Sequence, residues 1–409
     1  MKVCFETFGC RLSRSEALEQ EAQFLARGWS LTDSHQDADL IIIRGCSVTA
    51  RAQHDCEKLI FHIKEKYPNK RIVVTGCLKE KRNEHWLRDI ALKGAKRTHL
   101  EGGGNMGASV PMRTARAYLK VQDGCSCACS FCIVPQFRGK SVSVDFAAVL
   151  EKARSFIAAG YHEIVLTGCN LSMYRSDGKN LADLVKALSE LDANCRIRLG
   201  SVEPSQVALE IIDLMCEKPN ICRYLHLPIQ SGSPAILAAM NRPYPFKLVE
   251  TIAKEAVKKI PLISIGCDLM TGFPGEGELE FLTTNSLFKR FAISRAHIFP
   301  YSERPGTPAA VFANSVPREI RHERARTLAQ VASTERSHYA KKFLNRVVEV
   351  IIEDEKNLAG WTSEYLWCQA RSKISANLGL KRKSLVRMKV VEVNEHILLG
   401  SPLDGWRND

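Results

Sequence analysis

The stretch GCSCACSFC, residues 124–132, holds four cysteines and decides how the middle of this chain is interpreted. Cys125, Cys129 and Cys132 have the spacing C-x3-C-x2-C, directly after a predicted strand. Three thiolates on one tight loop can bind three irons of a four-iron cluster, and the fourth iron then stays open to a substrate or cofactor. The spacing therefore favours a catalytic iron–sulfur cluster at this loop.

The alternative is a structural zinc site that uses Cys127 or a distant histidine as its fourth ligand. Structural zinc sites usually combine two cysteine pairs that are separated by a dozen or more residues. This loop offers one compact triplet instead, and it stands at the carboxyl end of a predicted strand. Both features favour the catalytic interpretation.

The flanking sequence, residues 113–342, repeats a strand followed by a helix. The candidate strands are AYLKVQ, EIVLT, CRIRLGSV, CRYLHLPI, LISIGCDLM and ISRAHIFPY. Six such units predict a partial parallel (βα)6 barrel, because a complete barrel needs eight. Functional side chains lie at the carboxyl ends of such strands. Glu203 and Gln230 end the third and fourth strands, which predicts contact with a cofactor or substrate; a hydrogen bond to a neighbouring loop is the alternative.

Residues 1–112 are predicted to form an α/β domain, because strands such as DLIIIRG alternate with helical patterns, as in a parallel sheet. A glycine-rich linker, residues 101–112, ends this domain. Cys10, Cys46 and Cys77 each follow a glycine just past a predicted strand. Loops of this kind converge on one edge of a sheet, which predicts that the three cysteines meet. The alternative is three unrelated buried thiols.

Residues 343–409 carry four segments of alternating hydrophobicity without a helix between them, which predicts a small antiparallel β-barrel. Residues 371–389 contain no acidic residue. Their basic residues are Arg371, Lys373, Lys381, Arg382, Lys383, Arg387 and Lys389. A basic stripe on a small barrel favours phosphate contacts, whereas a solvated face is the alternative. The net charge of +13 also favours a polyanionic partner.

The composition predicts a protein of a reducing compartment. It has fifteen cysteines, no run of eighteen apolar residues and no export signal, which predicts a cytoplasmic protein without a membrane partner. Clustered thiols then indicate metal binding or catalysis rather than disulfides. Cys4 lies inside a predicted strand and Cys56 inside a predicted helix, so both are interpreted as core residues.

The cysteine loop resembles the signature of the radical SAM superfamily, which has an aromatic residue before the last cysteine, here Phe131. The resemblance implies that the open iron binds the amino and carboxylate groups of S-adenosylmethionine. It also implies that Cys125, Cys129 and Cys132 are the ligands and that Cys127 is a bystander.

Blocks along almost the whole chain resemble those of the methylthiotransferases. They are TFGC, VVTGC, QDGCSCACSFCIVPQFRG, EIVLTGCNL, YLHLPIQSGS, DLMTGFPGE and IFPYSERPGTPA. The resemblance implies two [4Fe-4S] clusters, of which the second is held by Cys10, Cys46 and Cys77. It also implies that the C-terminal domain is a TRAM domain that binds RNA.

Two positions depart from the pattern of this family. Ser13 stands where asparagine is usual, and Arg44-Gly45 replaces the usual Asn-Thr before the second cysteine.

The block RIRLGSVEP, residues 196–204, is similar to the RIRLSSIEP of enzymes that act on threonylcarbamoyl-adenosine in tRNA. It is less similar to the isopentenyl-adenosine and ribosomal-protein subgroups.

The resemblance implies an enzyme that methylthiolates carbon two of threonylcarbamoyl-adenosine beside the anticodon. The implied partners are the anticodon stem-loop of tRNA and an electron donor such as flavodoxin or ferredoxin, and the enzyme is expected to be a monomer. The alternatives are methylthiolation of isopentenyl-adenosine or of a ribosomal protein. A non-catalytic RNA-binding protein with structural zinc is the alternative from another class.

Overall fold

The computed structural model describes residues 1–48, 50–78, 114–371 and 381–403. The chain forms two compact units, Met1–Met112 with Cys132–Lys140, and Arg113–Phe131 with Ser141–Asp409. The division into three domains, with bounds at residues 112 and 342, stays a prediction. The predicted linker at residues 101–112 lies outside the described residues.

The first unit contains a four-stranded parallel sheet of order β2-β1-β3-β4, which confirms the predicted α/β domain. Its strands are Lys2–Thr7 (β1), Ser30–Leu31 (β2), Leu40–Gly45 (β3) and Arg71–Gly76 (β4). Its described helices are Arg11–Ala26 (α1), Ala50–Lys66 (α2) and Val134–Arg138 (α3). The whole of β3 is buried, as its apolar sequence predicts for a central parallel strand. Cys4 and Cys56 lie in the same hydrophobic core as Ile41, Ile60 and Ile63, which confirms their assignment.

Six parallel strands form the core of the second unit, in two sheets of order β5-β8-β9 and β10-β11-β12. These strands are Ala117–Lys120 (β5), Glu163–Thr167 (β8), Arg196–Arg198 (β9), Tyr224–Gln230 (β10), Ser264–Thr271 (β11) and Ile293–Pro300 (β12). Single parallel bridges from Ile197 to Ile221 and from Ser201 to His226 join the two sheets. The strands therefore follow chain order, as the predicted partial barrel requires. A short antiparallel pair, Gln122–Asp123 (β6) and Val142–Ser143 (β7), lies beside them.

Helices connect these strands. They are Phe146–Ala158 (α4), Leu181–Ser189 (α5), Gln206–Glu217 (α6), Pro234–Ala239 (α7), Phe246–Lys259 (α8), Glu278–Phe291 (α9) and Arg318–Lys341 (α10). The start of α5 shows how the sequence sets such a helix: Asn180 accepts from two N–H groups of the first turn, and Asp183 accepts from the Asn180 N–H at 2.8 Å. This reciprocal cap satisfies donors that a helix start leaves unpaired. Leu181, Leu184 and Leu188 recur at helical spacing and are buried.

The C-terminal part of the second unit is a closed five-stranded barrel of order β13-β14-β15-β17-β16. Its strands are Val347–Asp354 (β13), Ala359–Thr362 (β14), Trp367–Ala370 (β15), Leu385–Asn394 (β16) and Ile397–Pro402 (β17). The predicted small barrel is therefore present, and its pairs are antiparallel except β15 with β17, which run parallel. Val350, Val386 and Met388 fill its centre. None of the described helices is both long and apolar enough to cross a membrane.

Candidate iron–sulfur and cofactor sites

The loop that carries Cys125 begins just after β5 and is fixed by the fully buried Gln122. The Nε2 of Gln122 donates to the carbonyls of Asp123 at 2.8 Å and Gly124 at 2.7 Å, and its Oε1 accepts from the Asn170 N–H at 2.9 Å. Asn170 follows β8, so the glutamine ties the cysteine loop to the end of the neighbouring strand. Functional residues are expected at this end of a parallel sheet.

The thiol of Cys127 is hydrogen bonded to both Cys125 and Cys129. These hydrogen bonds are the largest cause that lowers the pKa values of Cys125 and Cys129, and the thiolate is the form that binds metals. Asn170 adds a donor, with its Nδ2 at 3.6 Å from the Cys127 sulfur and 4.0 Å from the Cys125 sulfur. Cys127 thus lies beside two predicted ligands, and its role as a bystander stays a prediction.

Arg242 is a residue of this site that the sequence interpretation missed. Its Nη1 lies 3.2 Å from the Cys129 sulfur, and its Nη2 pairs with the carboxylate of Glu203. Its Nε donates to the Tyr244 hydroxyl at 3.1 Å. Burial raises the pKa of Glu203 to about 7, although Arg242 opposes that rise. Glu203 therefore lies next to the cysteine loop, where a charged cofactor could be oriented, but its contact with a cofactor stays a prediction.

Gln230 ends β10 in a left-handed conformation with a φ of 70°. The register of β10 against β11 shifts between Leu227 and Gln230. The side chain of Gln230 is buried, and its Oε1 has no hydrogen-bond partner among the described residues. Backbone strain and an unpaired buried acceptor are typical of ligand sites, so both favour the predicted contact with a cofactor or substrate.

Cys132 is half-buried and begins the segment Cys132–Lys140, which packs within the first unit. Arg138 of α3 holds this segment, because its Nη1 and Nη2 donate to the two carboxylate oxygens of Glu16 at 3.0 and 3.1 Å. The Nε of Arg138 lies 3.3 Å from the Cys77 sulfur. The cysteine motif therefore continues directly into a segment that contacts a cysteine of the second predicted set.

Cys10, Cys46 and Cys77 follow β1, β3 and β4 and lie at one edge of the first sheet. Gly9 packs against Cys46 so closely that a β-carbon at Gly9 would lie 3.2 Å from the Cys46 sulfur. The Cys77 N–H donates to the Gly45 carbonyl at 3.1 Å. Burial raises the pKa of Cys46, and Cys77 and Cys10 raise it further. The structure thus brings these three loops together, as the strand-glycine-cysteine pattern predicts.

The positions that depart from the family pattern pack around this edge. Arg44 is buried, with its Nη1 donating to Gln20 at 2.9 Å and its Nη2 paired with Glu16. Glu16 therefore binds both Arg44 and Arg138. Ser13 is buried in the first turn of α1, on the side that faces Gly9. Arg44 thus supports the segment that follows Cys132 through a shared carboxylate.

Neither predicted cysteine set forms a compact single-ion site among the described residues. Among the described residues, the groups of metal-binding side chains whose ligand atoms all lie within 4.8 Å are Cys4–Glu6–His35 and His226–Asp268–His297. Neither includes a predicted ligand. Cluster cysteines bind different irons, so their sulfurs need not meet around one ion. The arginines beside the sulfurs of Cys77 and Cys129 supply N–H donors of the kind that tune such clusters.

Known proteins resemble this chain over most of its length. Residues 119–288 match the Radical SAM superfamily, and residues 2–93 match the uncharacterized protein family UPF0004. The threonylcarbamoyladenosine tRNA methylthiotransferase MtaB of Bacillus subtilis is 32% identical over 89% of this chain and 89% of its own length. This chain belongs to the radical SAM methylthiotransferases. It is therefore an enzyme of a class that uses a [4Fe-4S] cluster and S-adenosylmethionine.

Other methylthiotransferases show similar identities. MtaB of Aquifex aeolicus is 30% identical over 88% of this chain and 94% of its own length. The tRNA-2-methylthio-N(6)-dimethylallyladenosine synthase of Clostridium botulinum is 28% identical over 97% of this chain and 96% of its own length. Among solved structures, the radical S-adenosylmethionine methyltransferase TsrM of Kitasatospora setae shares the fold, with a TM-score of 0.53 at 12% identity over 76% of this chain and 74% of its own.

The RIRLGSVEP block of this methylthiotransferase has two different roles along its length. Arg196 and Arg198 bind Glu163 and backbone carbonyls of the C-terminal barrel, including those of Trp361 and Thr362. Glu203, at the other end of the block, lies beside the cysteine loop. The first half of the block therefore holds the barrel on the core.

The basic run of the methylthiotransferase is not one continuous exposed stripe. Its exposed members among the described residues are Arg371, Lys381, Arg382, Arg387 and Lys389. Lys383 is buried, with its Nζ 3.6 Å from the centre of the Tyr161 ring and 3.0 Å from the Ala159 carbonyl. The predicted phosphate contact is therefore wrong for Lys383, which packs the barrel against the core. Lys373 lies outside the described residues.

Proposed function

We propose that this methylthiotransferase acts on tRNA and methylthiolates carbon two of N6-threonylcarbamoyladenosine beside the anticodon. The observation that carries the proposal is its similarity to MtaB of B. subtilis, at 32% identity over 89% of both chains. The dimethylallyladenosine synthase of C. botulinum is 28% identical, so isopentenyl-adenosine is the competing substrate.

A group of polar side chains in the core, of which His297 is exposed, supports the more polar substrate. Asp268 lies 3.1 Å from His226 Nε2 and 3.2 Å from His297 Nδ1, and the Tyr224 hydroxyl lies 2.8 Å from His226 Nδ1. These side chains share one face of the β10–β11–β12 sheet, and the side chain of His297 is 54% exposed. The threonylcarbamoyl group carries a carboxylate and a hydroxyl, which the exposed imidazole of His297 can bind, whereas the isopentenyl group has no polar atom to pair with it.

In this proposal, the cysteines and the polar residues near them have different roles. Cys125, Cys129 and Cys132 would hold the first cluster, and Cys10, Cys46 and Cys77 would hold a second. When bound, the first cluster and S-adenosylmethionine would supply a 5′-deoxyadenosyl radical that removes hydrogen from the substrate. The second cluster would supply the sulfur, and another S-adenosylmethionine would supply the methyl group. Glu203 and Gln230 would contact S-adenosylmethionine or the substrate, and Arg242 would keep Glu203 in place.

The remaining parts of the proposal concern partners. The exposed basic residues of the C-terminal barrel would bind the anticodon stem-loop through its phosphates. An electron donor such as flavodoxin or ferredoxin would reduce the first cluster. The enzyme would act as a monomer in the cytoplasm, where tRNA is modified.

Mass spectrometry of tRNA nucleosides tests the substrate. Cells that lack the gene should lose the methylthio mark on threonylcarbamoyl-adenosine, and the wild-type gene, but not a Cys129→Ser variant, should restore it. Loss of the mark on isopentenyl-adenosine alone would assign the competing substrate. Unchanged tRNA nucleosides together with a lighter ribosomal protein would remove the RNA assignment altogether.

A further inference from the structure

Three basic side chains lie together where the core meets the C-terminal barrel. Arg295 belongs to β12, Arg336 to α10, and His396 to the turn between β16 and β17. Burial, together with the nearby charge of Arg295, lowers the pKa of Arg336 to about 10. Burial also lowers the pKa of His396, with further contributions from Arg336 and Arg295. The helix that carries Arg336 packs against β12, which carries Arg295, and the mutual effects on the pKa values agree with a close approach of all three groups.

Some hydrogen-bonding atoms of Arg295 and His396 are left unpaired among the described residues. The Nε and Nη1 of Arg295 and the Nδ1 of His396 are buried and have no partner among the described residues. Within the residues that the structure describes, neither Arg295 nor Arg336 forms an ion pair with a carboxylate. The acidic group that acts on His396 is Glu395, which is exposed at the turn. A buried polar atom without a partner is unfavourable, so these atoms favour a site that a polar ligand can occupy.

Aromatic rings fix the orientation of Arg295. Its guanidinium lies 4.6 Å from the centre of the Tyr365 ring and 5.6 Å from that of Trp361. Trp361 stacks on Tyr365, with ring centres 4.7 Å apart, and meets Trp367 edge-on at 4.9 Å. Cation–π contacts use the face of a guanidinium and leave the N–H donors at its edge available. Arg295 is therefore held in place with unpaired edge donors.

The chemistry of the ligand follows from these features. Like charges in a half-buried site destabilise it, and an anion between them removes the repulsion. Guanidinium groups bind phosphate through parallel N–H donors, which suits an oxyanion with several acceptors. We propose that Arg295, Arg336 and His396 form a binding site for a phosphodiester group of the RNA substrate. This inference rests on the proposed action on tRNA.

The position of the site favours RNA over a free anion. The barrel that contributes His396 also carries the exposed residues Arg371, Arg387 and Lys389, which can bind neighbouring phosphates of one strand. A phosphate held here would contact β12 and α10 of the core together with the β16–β17 turn of the barrel. The bound RNA would thus be positioned relative to the core that holds the cysteine loop.

The test compares single substitutions in the iron-loaded enzyme. Arg336→Gln should weaken tRNA binding roughly tenfold and reduce the slope of log K against log salt by about one, because one phosphate contact is lost. Arg336→Lys should keep most of the slope, because the charge remains. Lys258→Gln, at an exposed lysine of α8, removes the same charge elsewhere and should change neither quantity much. Fluorescence anisotropy of labelled tRNA over a salt series measures both.

Thermal unfolding without RNA separates this role from a structural one. Arg336→Gln should leave the melting temperature unchanged or higher, because it relieves repulsion between like charges when no anion is bound. A lower melting temperature with an unchanged salt slope would show a structural arginine and overturn the proposal. If inorganic phosphate stabilises the wild type but not Arg336→Gln, while both bind tRNA equally, the site takes free phosphate and the RNA assignment is wrong. Wild-type protein that binds tRNA without modifying it would count against the proposed function instead.

Discussion

Glu163 and Arg198 form a fully buried ion pair, with 2.6 Å between Glu163 Oε1 and Arg198 Nε. The other donors of Arg198 reach the C-terminal barrel, where they bind the carbonyls of Thr362 at 2.8 Å and Ser363 at 3.1 Å. Arg196 repeats this arrangement: it binds Glu163, and its Nη1 donates to the Glu349 carbonyl at 2.9 Å. One carboxylate in the core thus orients two arginines that hold the barrel by its backbone.

Replacement of Glu163 should weaken the attachment of the C-terminal barrel to the core. Glu163→Gln keeps the shape but leaves two buried arginines without their counter-charge, which should cost about 3–5 kcal/mol of unfolding free energy. Glu190→Gln is the matched control, because Glu190 pairs with Lys218 at the surface and its loss should change stability little. Urea unfolding of the two variants measures the difference. Equal stabilities would show that the buried pair does not hold the barrel.

The difference in unfolding free energy between the wild type and Glu163→Gln should depend on pH in a definite direction. Burial alone would raise the pKa of Glu163, but Arg198 and Arg196 outweigh burial and lower it to about 2. A lowered pKa means that the stabilisation is complete above the ordinary value of 4.5 and is lost as pH falls through about 2. Between pH 5 and pH 8 the wild type should therefore exceed Glu163→Gln by a constant amount.

The sequence predicted the parts of the site that follow from strand ends. Cys10, Cys46 and Cys77 were recognisable because each follows a glycine at the end of a parallel strand, and such ends share one edge of the sheet. Glu203 was recognisable for the same reason. A local pattern of this kind needs no knowledge of tertiary contacts.

Contacts between distant segments could not be predicted in this way. Arg242 and Asn170 reach the cysteine loop from separate loops, and a lone arginine or asparagine after a helix or strand has no distinguishing spacing. Lys383 stood in a run of basic residues, but the backbone turns it inward with a φ of 83°, against Tyr161. Charge patterning shows that a segment is basic and does not show which side chain the fold buries.

The assignment of cluster ligands predicts unequal effects of four similar substitutions. Cys125→Ser, Cys129→Ser and Cys132→Ser should each abolish cleavage of S-adenosylmethionine, because each removes a predicted iron ligand. Cys127→Ser should keep most of the activity, although its thiol lies beside Cys125 and Cys129. Iron content and S-adenosylmethionine cleavage after anaerobic reconstitution measure the effects. Loss of the cluster in Cys127→Ser as complete as in Cys129→Ser would make Cys127 a ligand.

Removal of the second cysteine set should separate two activities. Two four-iron clusters imply about eight irons per chain, so replacing Cys10, Cys46 and Cys77 with serine should halve the iron. The variant should still cleave S-adenosylmethionine but should not thiolate tRNA. Cys4→Ser with Cys56→Ser is the control, because both thiols lie in the core of the same unit. Full iron content in the triple variant would exclude a cluster at this edge.

The exposed and buried members of the basic run should behave differently. Lys381, Arg387 and Lys389 are exposed. Replacing all three with glutamine should weaken tRNA binding and lower the slope of log K against log salt by up to about three. Each phosphate contact that forms releases counterions, so each contact that is lost lowers this slope. Cleavage of S-adenosylmethionine without tRNA should hardly change, because these residues lie in the barrel.

Lys383→Gln is the comparison within the same run. Its ammonium binds the Ala159 carbonyl and the Tyr161 ring, so its loss should lower the melting temperature and leave the salt slope unchanged. Anisotropy titrations over a salt series and thermal unfolding of both variants give the two quantities. A slope that falls by about one for Lys383→Gln would show that this lysine leaves the core to bind phosphate, because only a phosphate contact changes the number of counterions released.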